Sequence, residues 1–416
     1  MNLPGPRAGD PSPEMVPCLH VLQASLLLFA FGLPISIAAG QPMAYLASVL
    51  TLWAMLRGTL TLSVPRGLLV VIGLFLSCVL VASILGWNPA RSFRKMDRFI
   101  LLLSMLGIAA AMAVKGTRRW GWGPYLINAF IAGCAIKAAL DLVRIPLEIS
   151  SGVGLYDTGN MREPQMYLVG LCLLIAGLAT GRWRFKEPFT ATAMILIGLG
   201  LLLHFKRGTW ISFALALAWM SLLIRNRKPM VVFLGLALAS LGIPAVRARL
   251  ALLRFEWSGD LGGRYALWTD VAPRLLSEHP LGVGWKAVRH EDLIPYTHQL
   301  QPGLEHLHSN VLQVALETGW LGSVCWAIWM GWMVLLVSRN AMRLRWQNPA
   351  AASIPIGVAG ALVGLLANGM VEYNFGDSEM FMAMMLLMGL GLFAERLSAS
   401  DPLSPPPAPP PPTPVS

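Results

Sequence analysis

The chain has 416 residues, of which 56% are hydrophobic and only 13% are charged. A soluble domain carries about 25% charged residues, and soluble cores stop growing near about 250–300 residues, so this composition excludes a large soluble protein. The 32 Lys and Arg exceed the 21 Asp and Glu, which gives a net charge of +11. Because the basic residues lie in small groups between apolar runs, this excess predicts contact with membranes and phosphates, and we expect no nucleic-acid partner.

The N-terminal segment and the cysteine positions give two further indications about this membrane protein. The first apolar run begins near Val21 and lacks the basic start and small-residue cleavage site of a signal peptide, so it predicts a retained helix. The five cysteines are scattered, and no C-x-x-C pair is present. We therefore expect neither a zinc site nor a disulfide framework.

Twelve apolar runs of roughly 17–25 residues follow one another along the chain and predict twelve transmembrane helices. They cover approximately residues 21–39, 42–60, 67–86, 98–114, 122–144, 166–181, 188–204, 209–224, 229–246, 319–338, 353–371 and 379–397. The sequence therefore predicts an all-α polytopic membrane protein with about twelve spans.

The loops between these runs alternate in charge. Lys and Arg are concentrated in the even-numbered loops, which the positive-inside rule assigns to the cytoplasm together with both termini. The chain then divides into a cytoplasmic tail 1–20, helices 1–9 over 21–246, a large outside loop 247–318, helices 10–12 over 319–397 and a Pro-rich cytoplasmic tail 398–416. Nine prolines among the sixteen residues from Asp401 predict an extended polyproline II tail.

Two outside loops carry cations against this rule. The third loop contains Arg91, Arg94, Lys95 and Arg98 with the single acid Asp97, and the seventh contains Lys206 and Arg207 at a helix end. One interpretation is an anionic ligand at the membrane surface, most simply a phosphate, which Arg binds with a two-pronged hydrogen bond. The alternative is contact of these side chains with the headgroups of membrane lipids.

The large outside loop is the polar part of the chain and holds five of its seven histidines: His279, His290, His298, His306 and His308. An amphipathic helix on the outer leaflet is predicted from Arg264 until the Pro-Gly-Gly group at 280–284, and a second helix from after His308 to Gly319. His306 and His308 lie two residues apart without an obvious third ligand, so we expect no metal there. His308 lies among the outside cations, and imidazole can move a proton near neutral pH, so it is the candidate base.

At these residues the sequence resembles the bacterial O-antigen ligase family, whose signature is shared with O-antigen polymerases and some protein O-oligosaccharyltransferases. The pattern H-x-x-x-L-Q-x-x-x-E-x-G is present, preceded by R-x-x-x-W, P-x-G-x-G and R-G-x-W. The matching residues are Arg207, Gly208, Trp210, Arg264, Trp268, Pro280, Gly282, Gly284, His308, Leu312, Gln313, Glu317 and Gly319. Family members often have Asn directly after the histidine, whereas this chain has Ser309 and then Asn310.

The resemblance implies a GT-C-like helical fold in the bacterial inner membrane, with short amphipathic helices in a large periplasmic loop. It implies transfer of O-antigen polysaccharide from undecaprenyl pyrophosphate to the lipid A core, and contact with other polysaccharide assembly proteins. The first outside loop has no acidic residue to hold a metal, so we expect a reaction without metal or other cofactor.

A glycosyl pyrophosphate already has a good leaving group, so the protein must neutralise the departing pyrophosphate and remove a proton from the acceptor. We assign His308 as general base and Arg207 and Arg264 to the pyrophosphate, with inversion at the anomeric carbon. The predicted substrate-binding residues are Arg91, Arg94, Arg98, Lys206, Trp268 and His306. An O-antigen polymerase remains an alternative. So does a transporter, although Lys137 and Asp141, one helical turn apart, could simply pair.

Overall fold

The computed structural model describes residues 15–60, 64–111, 122–252, 264–296 and 305–399, and these residues form helices without strands. Residues 1–14 of the predicted N-terminal tail, the predicted Pro-rich tail from residue 400 onward, and His298 lie outside the described residues. The all-helical class predicted from the apolar runs is confirmed.

The helices are labelled here in chain order. They are α1 Met15–Gly32, α2 Ile37–Leu56, α3 Arg66–Leu85, α4 Pro89–Lys95, α5 Leu102–Ala111, α6 Gly123–Ser150, α7 Arg162–Ala179, α8 Pro188–Leu203, α9 Arg207–Ile224, α10 Lys228–Ser240, α11 Pro244–Ala251, α12 Ala272–Glu278, α13 His290–Leu293, α14 Asn310–Gln347, α15 Pro349–Asn368 and α16 Ser378–Ala399. A 3-10 turn, Met96–Leu101, joins α4 to α5, and a short helical turn Arg264–Ala266 with π-helical Leu267–Val271 leads into α12.

Each of the twelve predicted runs overlaps a described helix. By length and composition, seven of the described helices could cross a membrane, or eight if α10 and α11, bent by 95°, form one span. Two further apolar helices, Cys18–Gly32 and Pro188–Leu203, are shorter. These helices indicate a multi-pass membrane protein. The number of twelve spans stays a prediction.

Small residues let the central helix α15 approach its neighbours closely, as is common between membrane helices. An added Cβ at Gly364 would lie 2.7 Å from a methyl of Leu168 in α7 and 3.2 Å from Ala216 in α9. At Gly360 it would lie 2.4 Å from Met220 of α9. Helix α15 is therefore closely packed and buried, and it positions the polar loop that begins directly after it at residue 369.

The predicted outside loops contact one another at one end of the bundle. The Arg98 guanidinium donates to the carbonyl of Gly376, and the Lys206 ammonium lies 3.2 Å from the carbonyl of Tyr156. At the other end, Arg345 donates to the carbonyl of Leu223 at 2.7 Å. The contacts agree with the alternation of the basic loops, whereas the periplasmic location of the first end stays a prediction.

The predicted amphipathic helix after Arg264 lies against the protein itself rather than on a lipid leaflet. Its apolar residues Leu267, Val271 and Leu275 are fully buried. They form a second core with residues around His308, including Leu307 and Leu316. Burial of this apolar face fixes the polar loop against the start of α14.

Helix α14 continues past Gly319, where the sequence predicts that a short helix ends and a span begins. Gly319 has non-helical torsions (φ 74, ψ 175), so a kink separates the two parts. An added Cβ there would lie 2.7 Å from the carbonyl oxygen of Pro280, which explains why glycine is required. Gly282 approaches from the other side, and its Cβ would lie 2.6 Å from the Gly319 nitrogen.

A group of charges lies within α6, α7 and the end of α8, and we call it the α6–α8 ion network. Lys137 lies 2.7 Å from Asp141 and 3.1 Å from Glu163, and Arg144 lies 3.0 and 3.2 Å from the same two carboxylates. His204 Nε2 lies 3.1 Å from Asp141 Oδ2. Lys137 and Asp141 therefore pair with each other, which is the explanation of these intramembrane charges that does not involve a transport pathway.

Candidate functional site

The loop 369–377, between α15 and α16, joins the residues predicted to be catalytic. One oxygen of the Glu372 carboxylate accepts from Arg264, and the other lies 3.1 Å from His308 Nδ1. Burial alone would raise the pKa of Glu372, but the hydrogen bond with His308 and the charge of Arg264 lower it below its ordinary value. Glu372 is therefore a carboxylate at neutral pH and can only accept these hydrogen bonds.

The bond to Glu372 determines which nitrogen of His308 is available. Because an ionised carboxylate has no proton to donate, His308 Nδ1 must carry the hydrogen. In the neutral imidazole, Nε2 then has the lone pair and can accept a proton. The side chain of His308 is partly accessible, with 22% of its surface exposed, whereas that of Glu372 is 10% exposed. The arrangement suits a general base with a carboxylate that orients it.

The backbone holds His308 in place. Its φ of 47° lies in the left-handed region, which a non-glycine residue rarely adopts. On its N-terminal side, the Leu307 carbonyl accepts from the Trp268 indole at 2.8 Å, and the Leu307 amide donates to Gln313 at 2.8 Å. Trp268, predicted to bind substrate, thus has its indole N–H engaged in positioning the histidine loop. A contact with substrate stays a prediction for it.

His306 lies against His308, with ring centroids 4.3 Å apart and planes at 70°. Its Nδ1 accepts from the His308 amide at 3.2 Å. Burial, followed by the charges of His308 and Lys286, lowers the pKa of His306 to about 3. The ring is therefore neutral at physiological pH, and its predicted role in substrate binding would rest on hydrogen bonding or stacking rather than on charge.

The rest of the signature motif is structural. Glu317 accepts from Gln313 at 2.8 Å with one oxygen and from the Tyr373 hydroxyl at 2.6 Å with the other. Burial raises the pKa of Tyr373 well above its usual value, which keeps the hydroxyl protonated as the donor. The motif thus binds the start of α14 to the loop 369–377, which carries Glu372.

Asn310 makes the contacts that hold this loop to α14. Its side chain accepts from the Phe375 amide at 2.9 Å and donates to Asn374 at 2.6 Å, while its amide donates to the Gly369 carbonyl at 2.6 Å. Ser309 occupies the N-cap position without a side-chain capping bond. The asparagine two residues after His308 therefore has a clear positional role.

Three basic side chains meet at the start of α9, and we call Lys206, Arg207 and Arg249 the α9 cation cluster. Arg207 donates to the carbonyl of Arg249 at 3.0 Å, and Arg249 donates to that of Phe205 at 3.1 Å. The Arg249 guanidinium lies 4.9 Å from the Tyr156 ring centroid. Burial lowers the pKa of Lys206, and the charge of Arg249 lowers it further.

Sequence reasoning missed Arg249. The signal that could have found it is the pair Arg247 and Arg249, which directly follows an apolar run on a predicted outside loop, against the charge rule. The 95° bend between α10 and α11 turns this segment toward α9.

The α9 cation cluster borders the loop that carries Glu372. A Cβ added to Gly208 would lie 3.4 Å from a methyl of Val371, and the Asn368 amide lies 3.4 Å from the Thr209 hydroxyl. The first turn of α9 therefore packs directly beside Glu372, and the predicted residues Lys206, Arg207, Arg264 and His308 belong to one region.

The cations of the third loop are distributed differently. Arg98 is buried, donates to the Gly376 carbonyl of the same loop 369–377, and lies 5.8 Å from the Trp285 ring centroid. Arg91 pairs with Glu305 at 2.7 Å, just before His306. Arg94 is exposed in the last turn of α4, and its predicted substrate contact stays a prediction.

A further cation, Lys286, was not predicted. Its φ of 54° is left-handed, and its ammonium lies 4.2 Å from the centroid of the Tyr373 ring. Burial lowers the pKa of Lys286 to about 8. It follows the P-x-G-x-G motif by two residues, and this proximity to a motif was the available signal.

The fold and this site together define a helical membrane protein with a carboxylate-bound histidine surrounded by cations. Residues 192–327 match a family model described as O-Antigen ligase, and this range includes the α9 cation cluster, Arg264, Lys286 and His308. The motifs at Arg207, Arg264 and His308 thus lie in a region that matches the O-antigen ligase family, whose members are membrane glycosyltransferase-like enzymes, and the resemblance predicted from the motifs is confirmed. No curated protein matches the chain.

Proposed function

We propose that the protein is a glycosyltransferase that ligates O-antigen polysaccharide from undecaprenyl pyrophosphate onto the lipid A core oligosaccharide. We place the reaction at the periplasmic face of the bacterial inner membrane, and without a metal. The observation that carries the proposal is the single Glu372 carboxylate that holds both His308 and Arg264, beside the α9 cation cluster. The family match supports glycosyl transfer of the ligase or polymerase type.

The base is His308. Its Nε2 accepts the proton of the acceptor hydroxyl while that oxygen attacks the anomeric carbon and the bond to the pyrophosphate oxygen breaks. The Glu372 carboxylate keeps the ring in the required tautomer and stabilises the imidazolium that forms. One displacement without a covalent glycosyl-enzyme inverts the anomeric centre.

The α9 cation cluster is suited to the pyrophosphate. Lys206 and Arg249 donate to backbone carbonyls, which position these two side chains without cancelling their charge. Negative charge grows on the leaving oxygen in the transition state, so these cations stabilise that state more than the ground state. Arg264, bound to Glu372, completes the predicted pair with Arg207.

Within the described ranges, no three His, Cys, Asp or Glu side chains are grouped as ligands for a metal. The acceptor, the lipid-linked donor, membrane lipids and other polysaccharide assembly proteins remain the proposed partners. The lipid-exposed helix α10, which has no buried residue, is where we expect contact with lipid chains.

The experiment is an assay of purified protein with lipid-linked glycan as the donor. Two acceptors are possible, the lipid A core and a second molecule of lipid-linked glycan, and the assay is run with and without the core. A ligase forms product only when the core is present. Lengthening of the lipid-linked glycan without core would instead establish a polymerase, which uses the same donor and base. His308→Ala should abolish most of the transfer, and Arg274→Ala, which removes an exposed arginine of α12 without an assigned role, serves as its control.

A further inference from the structure

Tyr156, in the loop between α6 and α7, contacts the α9 cation cluster and helix α11 at three points. Its ring centroid lies 4.9 Å from the Arg249 guanidinium. Its hydroxyl donates to the carbonyl of Ala245 at 3.0 Å, and its backbone carbonyl accepts from the Lys206 ammonium at 3.2 Å. Tyr156 belongs to none of the sequence motifs, and the reaction described above gives it no role.

Helix α11, which carries Arg249, is fixed by little buried surface. Among its eight residues only Val246 is buried, and the preceding helix α10 has no buried residue. Ala245 and Arg249 lie four positions apart and therefore on one face of α11. Tyr156 contacts this face at both positions, through its hydroxyl and its ring. The tyrosine thus holds α11 in a place where burial alone would hold it only weakly.

The same ring packs against the residue that precedes Lys206. The ring centroids of Tyr156 and Phe205 lie 5.7 Å apart, with the planes at 76°. Phe205 is buried with a left-handed φ of 51°, and its carbonyl accepts from Arg249 Nε at 3.1 Å. An edge-to-face aromatic pair is favourable, so Tyr156 supports the turn that presents Lys206 as well as the arginine that this turn binds.

An aromatic contact orients an arginine without neutralising it. The face of the ring attracts the guanidinium through its quadrupole and brings no net negative charge. A carboxylate in the same place would cancel the charge that a pyrophosphate has to meet. The Tyr156 ring therefore fixes the Arg249 guanidinium and leaves it cationic, as binding of phosphate oxygens requires.

We infer that Tyr156 is a positioning residue for the leaving pyrophosphate. Its ring holds Arg249, and its hydroxyl holds α11, in the arrangement in which the α9 cation cluster binds the lipid-linked donor. Tyr156 acts through Arg249 and not on the acceptor, so its loss should weaken binding of the donor and leave that of the acceptor unchanged. This inference rests on the proposed function, which assigns the cluster to the pyrophosphate.

The test compares Tyr156→Leu, Tyr156→Phe and wild type by their affinity for an undecaprenyl pyrophosphate analogue. Both variants keep the backbone carbonyl that binds Lys206. Tyr156→Leu loses the ring and should bind the analogue about three- to thirtyfold more weakly, as the loss of a cation–π contact predicts. Tyr156→Phe keeps the ring and should recover most of the affinity. The KM for the lipid A core should be the same in all three proteins.

A double-mutant cycle separates the positioning of Arg249 from a general structural role. Tyr156→Leu is combined with Arg249→Met, which removes the guanidinium. If the tyrosine acts through Arg249, most of its effect on analogue binding should disappear in this background, because coupled residues are not additive. Tyr125→Leu, the same substitution at an exposed tyrosine near the opposite end of α6, is the matched control and should leave analogue binding unchanged.

Wild-type affinity for the analogue in Tyr156→Leu would overturn the inference, as would an equally large loss in the Arg249→Met background. Tyr156→Met replaces Tyr156→Leu if the latter does not fold. A raised KM for the core with unchanged analogue binding would assign Tyr156 to the acceptor and also contradict the inference. If wild type binds the analogue but transfers glycan to neither acceptor, the proposed function itself fails, so the two failures are distinguishable.

Discussion

In the α6–α8 ion network every cation contacts carboxylates, since Lys137 and Arg144 both lie within 3.2 Å of Asp141 or Glu163. In the α9 cation cluster, by contrast, the side chain of Lys206 donates to the backbone carbonyl of Tyr156. The side chain of Arg249 likewise donates to a carbonyl oxygen, that of Phe205. Each group has buried members, Asp141 and Glu163 in the network and Lys206 in the cluster, so the two groups differ chiefly in the partners of their cations.

Carboxylates cancel a buried charge, whereas carbonyl oxygens and aromatic rings hold a cation while leaving its charge largely intact. The network is therefore suited to joining helices. Lys206 and Arg249, which donate to carbonyl oxygens, instead keep a positive charge that a phosphate can neutralise. Substitutions in the network should alter stability, and substitutions in the site should alter binding or turnover.

The largest effect is expected for His308→Ala, because the site would lose its base. Turnover should fall roughly 10²–10⁴-fold while binding of an undecaprenyl pyrophosphate analogue is nearly unchanged. Single-turnover transfer and analogue binding measure the two effects. Arg207→Ala and Arg264→Ala should weaken both together, and lysine replacements should recover only part.

Two outcomes would contradict this division of roles. If His308→Ala abolishes analogue binding while the arginine variants transfer normally, then His308 binds the pyrophosphate and the roles of general base and pyrophosphate ligand have been assigned to the wrong residues. If His308→Ala transfers at the wild-type rate, His306 becomes the candidate base.

Asp141→Asn tests the other side of the comparison. Removing one partner of a buried ion group costs about 3–5 kcal/mol, since Lys137 and Arg144 would be left with excess charge. Unfolding in detergent should show the loss, whereas transfer per folded molecule should stay close to wild type. Glu148→Gln, at the more exposed edge of the network, is the matched control and should cost much less. A stable Asp141→Asn protein without activity would show that the network takes part in the reaction.

A smaller effect is expected from pH at Lys286. With a pKa of about 8 the side chain is protonated below that pH and neutral above it, so any contribution of its positive charge to kcat/KM should be lost as pH rises through about 8. The charged or titratable groups that act on it are Glu317, Arg98, Asp377, Glu305 and His306. In Lys286→Arg this decrease should disappear, because arginine stays charged. An unchanged profile in that variant would assign the decrease to another group.

Arg94→Ala should weaken donor binding less than about twofold, because the predicted contact of Arg94 with the substrate is made from an exposed position, where solvent screens the charge. Arg91→Ala should have the larger effect of the two, since Arg91 pairs with Glu305 next to His306. Kinetics of both variants under the same ionic strength give the comparison. A large loss for Arg94→Ala would show that the donor extends over α4.

EDTA is expected to have no effect on the rate of transfer, because arginine and lysine side chains, rather than a metal ion, neutralise the negative charge of the pyrophosphate. Transfer should proceed at the same rate with the chelator and with added magnesium or manganese. Activity lost in EDTA and restored by either ion would refute this prediction. It would also direct attention to Asp377 and Glu379, which both contact Arg162.

The sequence by itself determined the membrane class and the helical architecture, and it named most of the charged residues that the structure brings together in the candidate site. Apolar runs can do this because burying backbone polar groups in lipid requires helices. The signature motif likewise identified His308, Arg264 and Arg207 by their residue types and spacing.

Only the tertiary structure decided which partners these residues have. Glu372 lies 64 positions after His308, and the contact between them depends on how α15 packs against α7 and α9. Arg249 and Lys286 reach the site through a helix bend and a left-handed backbone torsion, which have no local spacing signal. Contacts between distant segments are set by packing, and periodicity within one segment does not encode them.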